Sequence, residues 1–407
     1  MNVVTLQKLD RCLGVPLCFL LTLVRRLTPQ PASPSPVRSI VLVKLAEQGS
    51  TVLAHPAICR AVEMVGRENV HCLVFEENRF ILDVLGVVPQ ENVVTISFKS
   101  FFSLVGSLLR AIRRLRRLKL DAAIDMEFFT RASAAVTFLT GAKWRVGFHS
   151  FFGAGPYRGN LMTHRLLYNP YLHTAETFQV MVEALKADRA VLPTFGLRPP
   201  VTQQTLPQFP PRPGEVAEIQ AVLRMEKDDR RSLVLLNPNA SDLLPLRRWP
   251  PQRYVQLATR LLDRFPEIRV AFTGTAMEAD AVGQLVREVG SMRCFSMAGK
   301  TTLRQLLVLY TLADLLVTND SGPAHFAALT PIQVVTLFGP ETPVLYAGRS
   351  PGNTPLWAGI ACSPCVNAFN NRQSPCRDNI CMQQITVDLV FAEACRAYEE
   401  SKRAKRG

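Results

Sequence analysis

Two doubly wound α/β domains, each a parallel sheet with helices on both faces, are predicted by three observations on this sequence. Short apolar runs recur along the chain, bounded by turn residues and followed by stretches of helical periodicity. That alternation of buried strand and helix is the pattern of a parallel sheet. A proline- and glutamine-rich stretch, Leu206-Pro207-Gln208-Phe209-Pro210-Pro211, interrupts it midway, as an interdomain connection does. Finally, 407 residues exceed what one core comfortably organises and suit two.

Taken in order, the chain opens with an apolar segment at residues 13–24, flanked by Arg11 and by Arg25-Arg26. It is shorter than the ~20 residues a membrane-spanning helix needs. No secretory start or small-residue cleavage site is visible. The segment is therefore expected to lie in a membrane interface or to pack on the core. Pro29, Pro31, Pro34 and Pro36 stiffen residues 28–37, so an N-terminal helix and linker take up 1–37. The first domain is expected over 38–192, with strands at 39–43, 70–75, 92–96, 122–126 and 145–148. Out of its first strand leads the turn Lys44-Leu45-Ala46-Glu47-Gln48-Gly49-Ser50.

Residues 100–119 read as a basic amphipathic helix. Phe101, Leu104, Val105, Leu108, Ile112, Leu115 and Leu118 lie on one side, and Arg110, Arg113, Arg114, Arg116, Arg117 and Lys119 on much of the other. Such a helix suits lipid headgroups or an acceptor's phosphates. After a connection over 193–231, the second domain spans 232–390, with strands at 233–236, 268–272, 315–317 and 334–338. A loop-rich stretch at 341–384 precedes a last helix over 386–401, expected to cross back onto the first domain; helix end and basic tail fill 391–407.

The centre of the second domain is ADLLVTNDSGPAHFAALTPIQVVTLFGP, residues 313–340. An apolar strand runs into Asn319-Asp320-Ser321-Gly322-Pro323, then into a helical pattern through Ala324, His325, Ala327, Ala328 and Leu329. Asp320 or Ser321 can cap that helix, and Pro323 suits its first turn. A helix terminus at the carboxyl end of a parallel strand presents backbone N–H groups and a dipole to phosphate. These residues carry a resemblance. The D-S-G-P-A-H run followed by an apolar strand and F-G-P resembles the signature of glycosyltransferase family 9, the ADP-heptose:lipopolysaccharide heptosyltransferases. Two further places support it, the turn after the first strand and the segment Asn237-Pro238-Asn239-Ala240 with Arg247-Arg248-Trp249-Pro250. The resemblance implies the GT-B architecture, in which two Rossmann-like domains face each other across a cleft. It also implies inverting, metal-independent transfer of a heptose or related sugar from an ADP-sugar to a lipopolysaccharide core or similar glycolipid. Location would be cytoplasmic, peripheral on the inner face of the bacterial inner membrane. A catalytically silent glycan-binding or scaffolding relative, and a sugar-nucleotide epimerase on the same fold, are the other readings.

Transfer from a nucleotide-diphosphate sugar needs positive charge and N–H donors at the leaving group and a base at the acceptor hydroxyl. For the first task, Ser321 and Gly322 supply the helix terminus. The resemblance implies donor-binding roles for Arg247, Glu278, Asp320 and His325. Arg247 stands where the family has the lysine of K-x-W, and Arg248 is the adjacent candidate. For the second task the family reads K-x-S-x-x-G-D, its aspartate the proposed base. Here Lys44, Gly49 and Ser50 keep the turn but put serine in the acid's place. A serine takes no proton unaided at neutral pH, so Glu47, three residues earlier, is expected to be the base.

Composition narrows the partners. A hydrophobic share of 48% with 20% charged residues describes a globular protein. A net charge of +14 favours anionic partners: a nucleotide sugar, a phosphorylated glycolipid, an anionic membrane surface. Nucleic acid is not expected, since zinc-finger spacing, RNA-binding aromatic motifs and a helix-turn-helix are all missing. Cys362, Cys365, Cys376 and Cys381 have a spacing compatible with structural zinc or with unligated thiols. The proposed chemistry calls for neither metal nor cofactor.

Overall fold

The computed structural model describes residues 3–27, 36–151, 153, 155–188, 205–223, 231–242 and 244–405. Most of the proline-rich linker and about half of the interdomain connection therefore lie outside the described residues. The chain forms two compact units, one of residues 1–205 with 367–373, the other of 206–366 with 374–407.

In the first unit six parallel strands stand in the order β3-β2-β1-β4-β5-β6. They are β1 (Ile40–Val43), β2 (Val70–Phe75), β3 (Val93–Ile96), β4 (Ala122–Asp125), β5 (Trp144–Phe148) and β6 (His164–Leu166). Ile40 is in register with Val70 on one side and Ala122 on the other. All of β1 is buried, as a central strand covered on both faces must be. The second unit repeats this order. Its strands β7 (Ser232–Asn237), β8 (Ile268–Phe272), β9 (Cys294–Ser296), β10 (Leu315–Asn319), β11 (Gln333–Phe338) and β12 (Asn353–Trp357) run β12-β11-β10-β7-β8-β9. The strand order reverses between β1 and β4 and between β7 and β10. In open parallel sheets, ligands bind outside the carboxyl ends of the strands at such reversals.

The N-terminal helix, Val3–Leu27, packs on the core along one side and leaves an apolar row exposed on the other. One face docks on the first unit. The Asp10 carboxylate accepts from Ala132 N at 2.7 Å and pairs with Arg131 at 3.4 Å, while Thr22 Oγ1 accepts from Asn160 N at 2.9 Å. Gly159 has φ +69°, and a Cβ there would stand 2.6 Å from Cys18 O. Only glycine permits both the left-handed backbone and this close approach. The other face exposes Leu13, Leu17, Phe19, Leu20, Leu23, Val24 and Leu27, the last 86% exposed. Among the described residues no helix is long and apolar enough to cross a membrane.

The basic helix is Phe101–Leu118, and its inward stripe differs from the one expected. Ser107, Ala111 and Leu115 are the buried positions, while Phe101, Phe102, Val105, Leu109 and Leu118 are exposed, Phe102 by 86%. Ser107 is inside because its hydroxyl accepts from Ser97 N at 3.0 Å and donates to Ser103 O at 2.6 Å. A buried hydroxyl so satisfied costs little. The last helix corrects a second expectation. Val387–Ala404 packs on the second sheet instead of crossing back to the first unit. Val390, Ala394, Ala397 and Tyr398 are buried in that core. Lys405 Nζ donates to Asp314 Oδ1 at 2.6 Å and Lys402 Nζ to Ser232 Oγ at 2.9 Å. Two basic residues of the tail thus anchor the helix.

Candidate active site

At the reversal in the second unit, Asn319 ends β10 and is fully buried. Its Oδ1 accepts from Trp249 N at 3.0 Å and Tyr254 OH at 3.1 Å. Its Nδ2 donates to Pro238 O at 3.0 Å and Asn239 O at 3.1 Å. One amide therefore bolts the exit of β10 to the exit of β7 and to the Arg-Arg-Trp-Pro segment. Trp249 Nε1, donating to Ile385 O at 2.7 Å, fixes that segment from behind.

This bracing aims Arg247. Its Nη1 donates to Asp320 O at 3.2 Å, its Nη2 pairs with Glu341 Oε2 at 2.5 Å, and its Nε lies 3.8 Å from Asp320 Oδ2. Asp320 is 3% and Glu341 1% exposed, so one guanidinium is shared by two buried carboxylates. Arg248 turns the other way, to Ala240 O and the exposed Asp242. Of the two adjacent arginines, only Arg247 touches the turn that follows β10. Glu341 is the partner that sequence reasoning missed; it directly follows the Gly339-Pro340 that closes the motif.

The helix after the turn is Gly322–Ala327, with Pro323 in its first turn, as expected. Ser321 holds the N-cap position in an extended conformation but makes no capping bond. Its hydroxyl donates to Asn319 O at 3.2 Å instead. No side chain caps this terminus; Pro323 has no N–H and Ala324 N donates to Ser321 O at 3.1 Å, so Gly322 N–H is the first-turn donor that can face an anion. His325 is buried within this helix. Glu278 sits elsewhere, in a capping box: its Oε2 accepts from Thr275 N at 2.7 Å and from Thr275 Oγ1 at 2.9 Å. The box follows Gly274, where a Cβ would stand 2.8 Å from Asn239 Nδ2, so it adjoins the β7 exit.

At the reversal in the first unit a second polar constellation forms. Lys44, buried just past β1, places Nζ 2.9 Å from Glu127 Oε1 and also donates to Ala46 O. The same Glu127 oxygen accepts from Ala46 N at 2.9 Å. Glu127 thereby closes the turn from the β4 side. Behind it, the buried Asp125 carboxylate pairs with Arg158 and accepts from Ser133 Oγ at 3.1 Å. Burial pushes the Asp125 carboxyl up, against the pull of Arg158. Neither Glu127 nor Asp125 was singled out from the sequence. The available signal was two carboxylates at the exit of an apolar strand beside the reversal.

Glu47 is exposed and left-handed at φ 65°. Ser50 Oγ donates to Glu47 O at 3.0 Å and reaches Glu47 Oε2 at 3.4 Å, and Arg372 pairs with Glu47 Oε1. Gly49 and Ser50 are buried in the helix Gln48–Leu53. Lys44, Glu47, Gly49 and Ser50 are thus held in one turn, while Arg247, Asp320, Ser321 and Gly322 converge at the other reversal.

Among the described residues no group of three or more His, Cys, Asp or Glu side chains is arranged to hold a metal ion. The Cys381 thiol is pushed up to about 11 by burial first, then by Cys365, Cys362 and Cys376. Cys376 Sγ donates to Asp378 O at 2.9 Å.

Comparison with known proteins gives the family and the fold. The family profile described as glycosyltransferase family 9 (heptosyltransferase) matches residues 108–374. Lipopolysaccharide heptosyltransferase 2 of Escherichia coli K12 is 29% identical over 218 residues, 52% of this chain and 58% of that protein. The chain thus spans less than two-thirds of that relative's length. Among solved structures, E. coli ADP-heptose lps heptosyltransferase II superposes with a TM-score of 0.66 at 18% identity, covering 89% of this chain and 99% of that one. A family 9 glycosyl transferase from Veillonella parvula gives 0.68 at 17%, covering 91% and 99%. At such identities these two establish the shared fold.

Proposed function

The chain belongs to glycosyltransferase family 9, and we propose that it transfers a heptose or related sugar from an ADP-sugar to a lipopolysaccharide core or similar glycolipid, with inversion. The observation that carries this reading is the turn from Asp320 to His325 at the paired exits of β7 and β10, with Arg247 tied to it, inside the matched stretch. The donor's diphosphate takes the backbone N–H groups of Ser321, at the N-cap, and Gly322, in the first turn. Arg247 swings a guanidinium donor from its carboxylates to the phosphate, a charge-assisted contact. The anomeric carbon–phosphate oxygen bond breaks and ADP leaves with the electron pair, its charge met by protein groups rather than by a metal. Glu47 takes the proton of the acceptor hydroxyl as that oxygen bonds to the anomeric carbon. Glu278 and His325 complete the donor site. Lys44, Gly49 and Ser50 hold the acceptor-side turn, which precedes the matched stretch and rests on geometry alone.

ADP release from ADP-heptose, followed with and without core acceptor, tests the reading. Release that requires acceptor is the expected result. Donor binding without release would instead favour a silent relative, and acceptor-independent product an epimerase.

The same reading places the protein on the cytoplasmic face of the inner membrane. The outward apolar row of the N-terminal helix and the exposed arginines and phenylalanines of Phe101–Leu118 support this. Both helices flank Arg131–Leu139: the first packs on it through Cys18 and Ala134, the second through Arg116 Nε donating to Leu139 O at 2.9 Å. Apolar insertion and basic residues near an anionic surface, worth ~1 kcal/mol each, reinforce one another. Anionic vesicles should bind the protein at low salt and release it at high salt. Equal binding to neutral vesicles at every salt concentration would contradict the electrostatic part.

A further inference from the structure

Residues 367–373 lie in the second half of the chain yet belong to the first unit. This strap is a closed turn. Asn367 Oδ1 accepts from Phe369 N at 2.9 Å and Asn370 N at 3.3 Å, and Arg372 N donates to Asn367 O at 2.9 Å. Phe369 anchors it, its ring centroid 5.8 Å from Phe129 and 5.1 Å from Tyr168. Asn371 and Arg372 are both left-handed, φ 52° and 55°. For arginine that conformation is uncommon, and such outliers concentrate where a side chain has a task. Here the conformation delivers the guanidinium to Glu47.

Resting on the function proposed above, we propose that Arg372 determines acceptor specificity: it recognises an anionic substituent, carboxylate or phosphate, on the saccharide acceptor, and in doing so hands Glu47 over to the acceptor hydroxyl. Three physical points carry this. The ion pair is accessible, the side chains being 25% and 40% exposed, and an accessible pair exchanges partners at little cost. The guanidinium fork matches carboxylate and phosphate oxygens two at a time. The anchor, Phe369, is separate from the recognising group, so Arg372 can change partner while the strap stays docked. Without an acid on the acceptor, Arg372 keeps Glu47 engaged; with one, the exchange places the hydroxyl beside a released carboxylate. Arg372 is therefore a binding residue, and Glu47 remains the group that moves the proton.

The test is steady-state kinetics of the full chain, Arg372→Ala and Arg372→Lys. Three acceptors are used: native acidic core oligosaccharide, its dephosphorylated form and its carboxyl-reduced form. With the native acceptor, Arg372→Ala should raise KM on the order of ten- to a hundredfold, the loss falling on KM rather than kcat. Arg372→Lys should recover part of it. The variant's penalty should vanish with the form that lacks the recognised anion, which identifies phosphate or carboxylate as its source. An equal penalty on all three acceptors, or none on the native one, would overturn the proposal. Should the wild type transfer to no acceptor, the functional reading fails by itself. Titration of the same oligosaccharides into wild type and Arg372→Ala would then still decide the matter: selective loss of the acidic one supports recognition by Arg372, and equal affinity overturns it.

Discussion

Glu47→Gln should lower turnover by at least ~10²-fold, with little change in affinity for the sugar nucleotide. The substitution keeps the size of the side chain and the hydrogen bond from Ser50 but removes the carboxylate's basicity. Positioned general bases typically contribute ~10²–10⁴ in rate. Ser50 has no proton-accepting power of its own at neutral pH, and its hydroxyl already donates to Glu47 O. Lys44 and Glu127 bind one another in the interior of the turn. That leaves Glu47 as the exposed carboxylate of the turn. Donor affinity should hold because the residues assigned to the donor belong to the second unit. Turnover of Glu47→Gln at the wild-type rate in a purified assay would move the base elsewhere.

Arg247→Ala should have two large effects that can be read separately. Donor affinity should fall by ~1.5–3 kcal/mol, the worth of a hydrogen bond to a charged group. The fold should lose stability even without donor, because Glu341 and Asp320 are buried and lose the guanidinium they share. Removing one partner of a buried pair typically costs ~3–5 kcal/mol. In a unit of this size that is a fall in Tm on the order of 10 °C. Thermal unfolding without ligand and calorimetric titration with ADP measure the two. Unchanged Tm would mean the carboxylates find other partners, and unchanged ADP affinity would remove Arg247 from the donor site.

What the sequence revealed, and what it hid, follows from the range of the interactions. Strands β1, β2, β7, β8, β10 and β11 are apolar runs set by burial on both faces, and local composition exposes them. Strands β6, β9 and β12 escaped because two of them have only three residues and the third includes Pro355, which an outer strand tolerates. The basic helix was recognised, but its buried stripe was not. Hydrophobicity could not foretell that Ser107 would go inside once Ser97 supplied a partner. In the same way, Ser321, Gly322 and Pro323 were legible because one continuous turn carries them. Glu127 meets Lys44 from 83 positions away, and Arg372 meets Glu47 from 325 positions away. Such partners are chosen by strand order and by the strap, and no spacing encodes them. That the last helix stays on the second unit was hidden for the same reason: Asp314 and Glu267, which receive Lys405 and Tyr398, give no sequence sign of that role.

The most direct test of the account is the intact mass of the acceptor after incubation with ADP-heptose and the purified chain. Wild type should add a single heptosyl unit and release an equal amount of ADP, and Glu47→Gln should add almost none in the same time. An acceptor of unchanged mass, with ADP-heptose either intact or consumed, would contradict heptosyl transfer by this chain.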